Sequence, residues 1–76
     1  MNKKLNDLDK QLIRTIEEQV GLLINKSATD ITIINTLIDF IPDVKCLLNG
    51  SNDKLLELHC MEYKNFAYFA TLIEAL

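Results

Sequence analysis

The stretch DLDKQLIRTIEEQVGLLIN, Asp7–Asn25, decides the fold class. Leu8, Leu12, Ile16, Val20 and Leu23 recur at spacings of three and four, which puts them on one stripe of an α-helix. Ile13 and Ile24 widen that stripe, and Lys10, Arg14, Glu17, Glu18 and Asn25 take the opposite side. Asn6 or Asp7 can cap the helix, and Asp7 and Asp9 suit the positive end of its dipole. Gly21 falls in the polar arc, at a cost of up to about 1 kcal/mol relative to Ala. We read it as tolerated there; close approach of another backbone is the alternative.

Working outward, Asn25 to Thr29 forms a turn, and Ser27 with Asp30 approximates a capping box in which Asp replaces the usual Glu. A second helix is expected from about Thr29 to Ile41. Ile31, Ile33, Ile34, Leu37, Ile38, Phe40 and Ile41 fill half its wheel, a face broad enough to pack on more than one neighbour. The β-branched run Ile31-Thr32-Ile33-Ile34 also suits a short strand, but the three-and-four period through Ile41 favours helix. Pro42 ends or kinks this helix by removing a donor and disfavouring helix at Ile41. Pro42-Asp43 equally suits the first turn of a new, short helix with Val44, Leu47 and Leu48 on its apolar face. Asn49-Gly50 stops that one.

Ser51 or Asn52 caps a last helix, expected from Asp53 nearly to Leu76. Leu55, Leu58, Phe66, Phe69, Ile73 and Leu76 make its main stripe, with Leu56, Tyr63, Ala67 and Ala70 on one flank and Leu72 on the other. Three apolar faces with short connections predict an all-α fold, a small antiparallel helical bundle of three main helices plus the short helix after Pro42. Residues 1–76 read as one helical domain, with residues 1–6 a frayed N-terminus.

Composition narrows the function classes. Leu, Ile, Val and Phe make up 27 of the 76 residues, and 8 basic residues face 11 acidic ones for a net charge of −3. Such aliphatic content excludes a disordered tail, and the length argues against two domains or a large enzyme cleft. A chain of this size buries only about 60% of its unfolded surface and rarely gains more than about 3–5 kcal/mol from its core alone. Cys46 and Cys60 could form one bridge at most, so the chain is no disulfide scaffold. We read both as small buried thiols in a reducing compartment. With no staples, a partner chain becomes the expected stabiliser.

Met1-Asn2-Lys3-Lys4 is followed by no apolar signal core, and no run approaches the roughly 18 apolar residues of a membrane span; a cytoplasmic protein with no membrane contact is expected. The basic surplus is confined to Lys3, Lys4, Lys10 and Arg14 against Asp7 and Asp9. That is little for nucleic acid, although a small DNA-associated regulator using this end against phosphates remains an alternative.

Chemistry-bearing residues are few. His59 is the one histidine, and Glu62 follows three positions later, so the two could hydrogen-bond on a helix. A metal centre would need more ligands, from Cys60, Cys46, Asp39 or another subunit. Cys60 beside His59 points about 100° away from it, and no oxyanion-hole loop completes a thiol enzyme. His59 and Glu62 are better read as a polar pair at the rim of a helix contact, where they could fix register or partner choice. The aromatics Tyr63, Phe66 and Phe69 read as core, whereas Tyr68 and Met61 share the polar arc and are residue types enriched at interfaces. The expectation is a non-enzymatic interaction module, a small regulatory adaptor or inhibitor without cofactor. It would act as a homodimer or on a larger protein through Ile33, Leu37, Phe40, His59, Met61, Glu62 and Tyr68.

Overall fold

The computed structural model describes residues 7–48 and 62–76, and these fold as an all-α protein with no strand among them. Helix α1 spans Asp7–Asn25, α2 spans Asp30–Thr36, a 3-10 turn covers Ile38–Phe40, residues 41–48 form α3, and α4 spans Lys64–Glu74.

Helix α1 has the expected bounds but is rotated relative to the expected stripe. Ile13, Ile16 and Val20 are its fully buried residues, spaced three and four apart. Leu12 and Leu23 flank them half-buried, while Leu8 stands 74% exposed and Ile24 44% exposed. The helix ends in a Schellman motif. Ser27 N–H donates to the Ile24 carbonyl at 2.9 Å and Ala28 N–H to the Leu23 carbonyl at 3.0 Å. Ser27 sits at the left-handed position with φ 60°. Its backbone stops α1; it is not the cap of the next helix.

That cap is Thr29. Its extended backbone (φ −76°, ψ 164°) leaves Oγ1 to accept from Thr32 N–H at 3.2 Å. Helix α2 then ends at Leu37 (φ −106°, ψ 22°), five residues before Pro42. Thr36 Oγ1 donates to the Thr32 carbonyl at 2.7 Å, a back-bond that bends helices, in a segment crowded with β-branched residues. The chain tightens into 3-10 pairing, with Phe40 N–H on the Leu37 carbonyl at 3.0 Å. Pro42 is therefore no terminator. Ile41 is right-handed helical (φ −58°, ψ −48°), and Pro42 lies in the first turn of α3, where a missing N–H costs little. On α3, Val44 and Leu48 enter the core four residues apart, which turns Cys46 outward as an exposed free thiol instead of a buried one.

The last helix is the largest departure. Glu62 is in a turn and Tyr63 is non-helical (φ −121°, ψ 63°), so α4 starts at Lys64 instead of running unbroken from Asp53. The expected start, with Leu55, Leu56 and Leu58, lies outside the described residues, as does the stop at Asn49-Gly50. Phe66, Phe69, Ala70 and Ile73 form the buried face of α4. They close one core with Ile13, Ile16, Val20, Ile33, Leu37, Val44 and Leu48. Helix α1 packs mainly on α4, which also contacts α2.

Candidate functional site

Three contacts along the α1–α4 seam arrange the surface beside it. First, the Arg14 guanidinium donates to the Tyr63 hydroxyl, a bond that raises the pKa of Arg14, with the nearby Glu62 charge adding to the effect. Second, Glu17 Oε1 accepts the Phe66 N–H at 2.9 Å. Phe66 is the third residue of α4, so this carboxylate satisfies one of the donors a helix start leaves open, and it sits at the positive end of the dipole. Tyr63, at the N-cap position, offers no side-chain cap. Third, Gly21 lies beside Asn65: a Cβ there would meet Asn65 Nδ2 at 2.9 Å. The glycine thus makes room, but for a side-chain amide and not for a backbone.

Glu17, Gly21 and Asn65 also line a shallow groove. One part, about 530 Å³, is lined by Glu17, Glu18, Gly21, Leu22, Ile24, Asn25 and Asn65. The other, about 360 Å³, is lined by Ile24, Ala28, Ile33, Asn65 and Tyr68, and the two meet at Ile24 and Asn65. Leu22 is 54% exposed and Tyr68 39%, so both, with Ile24, offer apolar surface to the groove. The Tyr68 hydroxyl donates to Asp30 Oδ1, in the first turn of α2. That bond, then burial and the Asp30 charge, hold the Tyr68 phenol above its ordinary pKa.

Against this geometry the expected contact residues divide. Ile33 and Leu37 are buried in the chain's own core, because α2 turns that face onto α4, and so offer little to a partner. Phe40 is half-buried against the core. Tyr68 is at the surface and lines the groove. Glu62 is exposed and lies in a turn. His59, Cys60 and Met61 lie outside the described residues. Among the described residues no group of His, Cys, Asp and Glu is placed to hold a metal ion, and no helix is long and apolar enough to cross a membrane.

Leu22, Ile24, Gly21 and Asn65 were not singled out as contact residues in the sequence. Ile24 is read there as widening the core stripe, and Leu22 is given no place; the structure leaves both exposed. No family model, known protein or solved structure matches this chain.

Proposed function

We propose that the protein is a non-enzymatic interaction module, a small regulatory adaptor or inhibitor that acts through apolar helix surface. The observation carrying this reading is the groove bordered by Leu22, Ile24 and Tyr68, three large side chains left exposed along one seam. Apolar surface rimmed by polar groups is the mark of a contact site. Here Glu18, Asn25 and Asn65 supply the rim, and polar groups of that kind select partners more than they add affinity. Self-association into a homodimer is the first form this would take; a larger protein partner is the second. The free, exposed Cys46 thiol agrees with a reducing, cytoplasmic setting.

The test is molar mass by light scattering across a wide concentration range, for the parent and for a Leu22→Glu, Ile24→Glu double variant. A species at twice the 8.7 kDa chain mass, lost in the variant, is expected. A parent that stays monomeric throughout would sink self-association. A dimer that survives the variant would place the contact elsewhere.

A further inference from the structure

We infer that the outward stripe of α1 is where two copies of the chain meet, antiparallel, about a two-fold axis at Thr15. The inference rests on the self-association reading above and adds to it the face and the direction. Helix α1 buries Ile13, Ile16 and Val20. On its outward side Leu8, Thr15 and Leu22 recur every seven residues, with Gln11 and Glu18 between them, and all five are exposed. That is the spacing of a two-helix seam. Leu8 and Leu22 are its large apolar members, and both stand more than half in water.

The stripe is complementary to itself in one direction. Leu8 and Leu22 lie equally far from Thr15, so an antiparallel copy sets each Leu8 on the partner's Leu22 and Thr15 on its own counterpart. Arg14, exposed on the flank of the stripe, then falls about 3 Å along the helix axis from the level of the partner's Glu18. It can keep its Tyr63 contact, because a guanidinium carries several donors. A parallel copy would instead set Glu18 on the partner's Glu18 and Arg14 on the partner's Arg14, and like charges repel. The leucine pairs supply the apolar burial, and the charges choose the direction.

Cysteine trapping tests the seam in the full chain carrying Cys46→Ser and Cys60→Ser. Thr15→Cys is expected to oxidise to a linked dimer at least about tenfold faster than Leu8→Cys, because only residues at the axis meet their own counterpart. Antiparallel pairing holds the two Leu8 positions about 21 Å apart along the helices. Equal rates, or faster linking of Leu8→Cys, overturn the inference. Light scattering on two further variants, with far-UV circular dichroism to confirm the fold, separates the seam from the groove. Leu8 belongs only to the seam and Ile24 only to the groove. Leu8→Glu is expected to lose the dimer and Ile24→Glu to keep it. A dimer that survives Leu8→Glu overturns the seam; if it is then lost with Ile24→Glu, self-association through the groove still stands. A chain that is monomeric at every concentration and never links sinks both.

Discussion

Ser27 stops α1 in a backbone conformation that an L-residue adopts at a cost of about 1–2 kcal/mol and glycine adopts freely. Glycine also loses more freedom on folding, so the net gain from Ser27→Gly is expected to be about 0.5–1 kcal/mol, read as a higher urea midpoint with unchanged slope. At Tyr68 the prediction concerns pH. Its phenol is held above the ordinary value by Asp30, so the folded state binds that proton more tightly than the unfolded chain does. The stabilising effect is then fully present below about pH 10, the ordinary tyrosine value, and is lost as pH rises through the higher folded pKa. Replacing Asp30 by Asn should bring one tyrosine's phenolate absorbance titration down toward the ordinary value. An unaltered titration would mean that the Tyr68–Asp30 bond is not populated in solution. Neither residue announced its role in the sequence. Ser27 resembled a helix cap because Asp30 followed it, and only backbone dihedrals separate a left-handed stop from a cap.

At the scale of elements, Thr29 is the start of α2, and Thr29→Ala should cost about 1 kcal/mol, whereas Thr29→Ser should cost little; thermal unfolding separates the two. Gly21 and Asn65 make a coupled pair across α1 and α4. Gly21→Ala gains up to about 1 kcal/mol of helix propensity, but the new methyl displaces the Asn65 amide. The gain should be larger in an Asn65→Ala background, and a double-mutant cycle reads the difference. Equal gains in both backgrounds would show that the amide moves aside without cost. Element limits were legible where local pattern decides them: the Asp7–Asn25 helix is an example. They were not legible where side-chain hydrogen bonds bear on them. The period through Ile41 hid the bend at Leu37, and the stripe through Phe66, Phe69 and Ile73 hid the break before Lys64, whose partners Arg14 and Glu17 lie on α1.

For the molecule as a whole, Phe66 and Phe69 are the largest side chains shut completely away from water. Truncation of either to Ala should cost about 3–5 kcal/mol. That is comparable with all the stability a domain this small usually has, so Phe69→Ala is expected to lose its cooperative thermal transition and much of its far-UV helical signal. By contrast, Leu22→Glu with Ile24→Glu should shift the unfolding midpoint little, since both side chains are already half in water. The aromatic core could be anticipated from spacing. The exposed groove could not, because which edge of α1 faces outward is set by how α4 lies on it.

The bond between Glu17 and the Phe66 backbone joins positions 49 residues apart, and it belongs to the packing that covers Ile13, Ile16 and Val20. During synthesis, α1 leaves the ribosome long before its cover does. A lone helix of 19 residues is only marginally stable in water, and the loop to α4 must close before its apolar side is rewarded. The core of α1 is therefore completed only when α4 arrives. A nascent chain stalled short of Lys64 would lack the Phe66 and Phe69 side chains of that core, leaving α1's apolar edge more open to chaperones and to neighbouring chains alike.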